Sequence, residues 1–104
     1  MALITLEETK AYLRVDTADE DDMIGILLAS AKRLCVDVAR LSDDQWAEIN
    51  SDEEDPVVAP LRETMKVAIL YAVGYLFEHR EEADHHELTL TLRSLLFAIR
   101  EGVV

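Results

Sequence analysis

Three histidines, His79, His85 and His86, stand among Glu81, Glu82 and Asp84, side chains of the types that ligate transition metals. Their spacing argues against a shared ion. His79 and His85 are six residues apart, which matches no helical ligand pair, and adjacent residues such as His85 and His86 point about 100° apart on a helix. The segment His79–Glu87 therefore reads as a solvated charged loop, and no metal ligand is assigned. Cys35 is the one thiol. A nucleophilic cysteine needs a neighbouring base or positive charge to form its thiolate. With no histidine near it in sequence, Cys35 reads as a small buried packing residue. The acidic run Asp19–Asp22 lacks the glycine turn and spaced ligands of a calcium loop. It suits the first turn of a helix, where the dipole favours negative charge. The glycines at 25, 74 and 102 are too scattered for a phosphate-binding loop. Neither a Gly-x-Ser-x-Gly elbow nor a His-Glu-x-x-His helix occurs. The carboxylate pairs lie in runs that read as solvated, a poor setting for an acid and a base with separated pKa values. The expectation is a non-enzyme with no catalytic residue, cofactor or metal.

The elements that would position any site follow from composition and periodicity. The chain has 104 residues, with 22 acidic against 10 basic side chains and a formal net charge of −12. A chain this short holds one core, so residues 1–104 are expected to form a single domain. Half of the residues are hydrophobic, and there are only three glycines and two prolines. This favours helices over disorder or a turn-rich β fold. A single cysteine excludes a disulfide framework and fits a reducing cytosol. The shortage of Lys and Arg argues against gripping DNA or adhering to anionic lipid. Met1–Thr5 lacks the basic start of a signal peptide. The longest apolar run, Val67–Phe77, is too short to span a bilayer.

Thr5 and Glu8 form a capping-box pattern for a helix from Leu6 to about Leu13. Thr17 and Glu20 repeat it ahead of a helix from about Asp19 to Arg40. The apolar stripe expected on that helix is Met23, Leu27, Ala31, Leu34, Val38 and Leu41, with Ile24, Leu28 and Cys35 as a shoulder. Arg33, Asp37 and Arg40 lie opposite, at pairing distance. Ser42 and Gln45 give a third box, starting one or two turns around Trp46 and Ile49, with Trp46 as the anchor. Ser51–Asp55 reads as an acidic loop. Pro60 suits the first position of a helix running to about Arg80. Its main face is Leu61, Met65, Ala68, Ala72 and Leu76, with Tyr75 at the edge. A second stripe, Val67, Leu70, Gly74 and Phe77, lies on roughly the other side. A helix apolar on both sides needs cover on both, so this stripe is the candidate oligomer interface. In the last element, Leu88, Leu90 and Leu92 alternate with threonines as in a strand. The full window Leu88–Arg100 favours a helix, with Leu88, Leu92, Leu95, Leu96 and Ile99 on its face, Thr89 as a possible cap and Gly102 as its stop. The expected fold is an all-α bundle of about four helices.

Several of these segments resemble a known family. Ile4–Thr5–Leu6–Glu7–Glu8, then Tyr12–Leu13–Arg14–Val15–Asp16, then Asp19–Asp22 leading into Ile24–Arg33, is similar to the N-terminus of the head–tail connector proteins of tailed phages and prophages, also labelled DNA-packaging proteins. Pro60–Leu61 through Ala68 to Tyr75–Leu76–Phe77–Glu78–His79–Arg80–Glu81 resembles that family's proline-started helix. Leu95–Leu96 and Arg100 resemble its closing helix. The chain departs from the pattern at Asp84–His85–His86–Glu87, where the family often has a Gly or Pro turn. The resemblance implies a helical subunit made in the host cytoplasm and located in the virion. It would assemble with itself as a ring beneath the portal protein, extend the DNA channel and dock a tail-completion or stopper protein. DNA would pass without specific binding, and no membrane is involved. The charge also fits a second reading, a DNA-mimicking inhibitor of a nucleic-acid-binding protein. That reading needs acids ordered along one exposed face, whereas here they gather at helix starts and in loops.

Overall fold

The computed structural model describes residues 3–50, 58–79 and 85–100, and among them it is helical with no strand. The helices are α1 (Leu6–Leu13), α2 (Asp21–Ala39), α3 (Asp43–Ile49), α4 (Ala59–Glu78), α5 (His86–Leu95) and α6 (Phe97–Arg100). The expected segment Ser51–Asp55 and Gly102 lie outside the described residues. The most extensive packing is between α2 and α4. Helices α1 and α5 pack on both, α3 packs on α4, and α6 packs on α2 and α5.

Two of the three capping boxes form. At α1 the Glu8 amide donates to Thr5 Oγ1 (3.1 Å) and the Thr5 amide donates to Glu8 Oε1 (3.2 Å). At α3 the Gln45 amide donates to Ser42 Oγ (3.2 Å) and the Ser42 amide to Gln45 Oε1 (2.8 Å). Each box satisfies two amides that a helix start otherwise leaves open. The Thr17–Glu20 box does not form. Helix α2 begins later, at Asp21, with Glu20 at its N-cap and no side-chain cap bond. An ion pair from Lys10 Nζ to Asp21 Oδ1 (2.7 Å) ties this start to α1. Asp21 and Asp22 occupy the first turn, as the dipole favours, while Asp19 and Glu20 precede it.

Helices α1 and α2 both stop on an arginine in the left-handed region, Arg14 (φ 61°) and Arg40 (φ 56°). At α2 the Arg40 amide donates to Asp37 O (3.2 Å) and the Leu41 amide to Val36 O (3.1 Å). This is a Schellman closure, and it sets Leu41 near the buried Val36. Glycine is usual at such a position. Arginine costs about 1 kcal/mol or more in backbone strain there, partly offset by its charge at the helix C-terminus, about 0.3–1 kcal/mol.

The buried face of α2 is rotated from the expected stripe. Ile24, Leu28, Ala31, Cys35, Val36 and Ala39 are buried, whereas Met23, Leu27, Leu34 and Val38 are only half-buried. Both sets repeat at the helical period. The set with small residues at 31, 35 and 39 lies deeper because small side chains allow a close neighbour. On α4 the expected face holds at its centre: Met65, Ala68 and Ala72 are fully buried, joined by Ile69 and Val73, while Leu61, Tyr75 and Leu76 are only partly buried. It starts at Ala59, which puts Pro60 second rather than first, still a position where a missing amide hydrogen costs little. In α3, Ile49 is the buried anchor and Trp46 packs half-buried against the core. The C-terminal element is helical, which excludes the strand start, but it breaks at Leu96 into α5 and α6. Leu88, Leu92 and Leu96 are fully buried and Leu95 is exposed. His85 is the N-cap of α5, and Thr89 Oγ1 donates back to the His85 carbonyl (3.2 Å) rather than capping.

All three lysines of the chain fasten its N-terminal part. Besides Lys10, Lys66 Nζ on α4 meets Glu8 Oε2 (2.8 Å), and Lys32 Nζ on α2 donates to Ile4 O (3.4 Å). The Leu3 amide donates to Asn50 Oδ1 (2.9 Å), and the buried Thr9 hydroxyl donates to Thr5 O (2.9 Å).

Two expectations follow. Ile24→Ala should cost about 2–5 kcal/mol, as for a fully buried aliphatic, and Met23→Ala clearly less, measured by urea unfolding. Equal losses would restore the unrotated stripe. The second concerns pH. The hydrogen bond from Lys66 is the largest cause holding Glu8 below its ordinary value, with Thr5 adding to it. A carboxylate depressed in the folded state stabilises the fold above its unfolded pKa, about 4.3, and that stabilisation is lost as pH falls through the folded value. Unfolding midpoints between about pH 5 and pH 3 should therefore fall more steeply for the native chain than for Lys66→Met.

Candidate functional site

An open concave feature lies where the C-terminal end of α1 meets the C-terminal half of α4. Its volume is about 660 Å³, and its walls include Tyr12, Arg14, Tyr71, Gly74, Phe77 and His79. Tyr12 reaches across from α1 to α4. A Cβ added at Gly74 would lie 3.1 Å from Tyr12 Cε2, so the missing side chain at 74 is what lets the ring lie close to the helix. Tyr12 is 50% and Tyr71 40% exposed, so the groove is open to solvent and aromatic. Arg14 places a cation at the rim, on the left-handed residue that closes α1. Glu78, the last residue of α4, and its C-cap His79 also line the groove.

The histidines are organised around a ring rather than a metal. His79 stacks on Tyr75 with centroids 4.1 Å apart and planes 16° from parallel, and His85 meets the same ring edge-on at 6.0 Å. His79 Nδ1 lies 3.0 Å from the Tyr75 carbonyl, an acceptor, so that nitrogen carries the proton. Both histidines are half-buried, not solvated as the sequence suggested, while His86 is exposed. Among the described residues no cluster of three metal-ligating side chains occurs. Glu81, Glu82 and Asp84 lie outside them. Cys35 is fully buried, and burial pushes its thiol up to about 12, far from a nucleophile's range.

The four residues expected as an interface separate. Leu70 packs against the core. Val67 is 57% exposed. Gly74 and Phe77 line the groove. Tyr12, Arg14 and Tyr71 belong to the groove and were not in that set. Tyr71 was legible, because Val67, Tyr71, Gly74 and Glu78 recur at 4, 3 and 4 along α4. Tyr12 was not, because its place depends on how α1 lies across α4.

These features define a small acidic helical protein with an open aromatic groove suited to docking an apolar or aromatic group. The chain belongs to the family described as Phage gp6-like head-tail connector protein, which matches residues 3–101. That is a structural phage protein family, and it implies a place in the virion and assembly with phage head and tail components. Comparison with curated proteins and with solved structures returned no match. Among the described residues no helix is long and apolar enough to cross a membrane.

Burial makes a chemical prediction for the thiol. Cys35 should react with a thiol reagent only at the rate of global opening, so its labelling should track urea unfolding. Rapid labelling of the folded chain would show the α2–α4 seam to be open.

Proposed function

We propose that the chain is a head–tail connector subunit that assembles as a ring under the portal of a tailed phage or prophage. It extends the DNA channel and presents a surface to a tail-completion or stopper protein. The observation that carries this reading is the family match, which extends over residues 3–101. Two physical features support it. A ring of identical subunits needs a surface that meets a different surface on the next copy. An open aromatic groove is the composition such a contact uses, since aromatic residues and arginine are enriched at interface cores. Of the stripe Val67, Leu70, Gly74 and Phe77, Gly74 and Phe77 line this groove, Val67 stands exposed one turn before Tyr71, and Leu70 packs against the core.

The charge supports the role in DNA passage. At −12 per subunit, a ring is strongly negative. A channel that repels phosphate lets DNA move, because no Lys or Arg array displaces counterions from it.

The test is capture by portal particles from the same phage genome, followed by the mass of the complex. The expected outcome is binding of several copies per portal and no turnover of any substrate. Failure to bind portal, together with recovery of a nuclease or repressor from host extract, would replace this reading with the DNA-mimic one.

A further inference from the structure

We infer that copies of this chain meet head to tail, with the α1–α4 groove of one copy receiving the exposed Phe97 edge of α5 and α6 of the next. This rests on the ring reading above and names its two surfaces.

The aromatic residues carry the argument. The chain has one Trp, three Tyr and two Phe. All three tyrosines and Phe77 line the groove. The other phenylalanine, Phe97, is 57% exposed, with Leu90 at 48% and Leu95 at 38% on the adjoining helix. One face is thus an open aromatic groove, and the α5–α6 segment presents an exposed aromatic side chain along with two exposed leucines. Large apolar groups exposed in one segment point to an interaction surface. The remaining exposed large aliphatic on α2, Ile26, has only Asp22, Ala29, Ser30 and Arg33 as exposed neighbours along that helix.

The ring reading makes the partner a second copy, and charge selects these faces for it. Two molecules of charge −12 repel, so they can approach only where the local charge balances. The α1–α2 turn exposes Asp16, Asp19 and Asp22, and α3 exposes Asp43, Asp44 and Glu48. Neither can press against its like. The groove is instead lined by both Arg14 and Glu78, and α5 exposes both Glu87 and Arg93. Each thus offers one cation and one anion that can be matched by the other: Arg93 can face Glu78 while Glu87 faces Arg14.

The two faces lie on different parts of the bundle, since α1 and α5 each pack on α2 and α4. Contacts between different faces propagate, and they close into a ring where the rotation permits.

The experiment uses the full chain, the variants Tyr71→Glu and Phe97→Glu, and native mass spectrometry across a concentration series. Both positions are exposed, so melting curves should match the native chain. Each variant alone should associate at least about 30-fold more weakly, as when one hot-spot residue is lost. Mixed one to one, the two variants should form a heterodimer and nothing larger. The Phe97→Glu chain keeps a working groove, the Tyr71→Glu chain keeps a working edge, and the remaining faces are blocked. Unchanged assembly by either variant, or a mixture without heterodimer, overturns the inference. So does a native chain that stays monomeric to its solubility limit, although it can still bind portal and leave the connector reading intact. Loss of portal capture by Tyr71→Glu alone, with no heterodimer, would assign the groove to the portal.

Discussion

The close approach of α2 and α4 is the constraint on which the rest of the molecule depends. Ala31, Cys35 and Ala39 recur every four residues on α2, Ala68 and Ala72 do so on α4, and all are at most 2% exposed. Rows at that spacing are the ridges by which helices interlock, and small side chains in them bring the axes together. Larger groups of the same core cluster accompany them: Met65, Ile69 and Val73 on α4 and Leu28 on α2. The same closeness that excludes water raises the Cys35 thiol to about 12. Helices α1 and α5 then pack across the pair, so the groove is a consequence of the seam.

A chain of charge −12 resists compaction, and its few cations are placed where they oppose this most directly. All three lysines hold the N-terminal segment to α2 or α4. Ion pairs this exposed contribute about 0.2–1 kcal/mol each, too little to define the fold. Their effect is positional. Lys66 and Glu8 register α1 against α4, and Lys10 and Asp21 register it against α2. With α1 so placed, Tyr12 reaches Gly74 and the groove acquires its wall.

Local signals were the most legible in the sequence. The boxes at Thr5 and Ser42, the extents of α1 and α4 to within about two residues, and the all-α class follow from side chains within four residues of one another. The family was readable from segments distributed along the chain. What sequence misjudged depended on neighbours. Period alone cannot choose between the Met23 and Ile24 stripes of α2, because both repeat correctly and only the facing helix decides. The Thr17–Glu20 box looked as good as the other two, but Asp21 is held by Lys10 and the helix starts later. On α4, Leu70 shares the spacing of the second stripe, yet it packs partly buried against the core. The convergence of His79 and His85 on Tyr75 was hidden because their spacing of six residues matches no helical period.

The distribution of ring side chains separates stability from docking in this protein. Its largest fully buried side chains are Ile4, Ile24, Met65, Ile69, Leu88, Leu92 and Leu96, all aliphatic or thioether. No aromatic residue is among the buried core. Rings usually dominate core energetics because each buries a large area. Here they line the groove, stand exposed at Phe97, or, as Trp46, pack half-buried at the margin. Aromatic groups left in water cost a soluble monomer some solubility and contribute little to its fold. They are the groups that supply most of the binding energy once an interface forms. A core that folds without them leaves this surface free to follow the shape of whatever docks there.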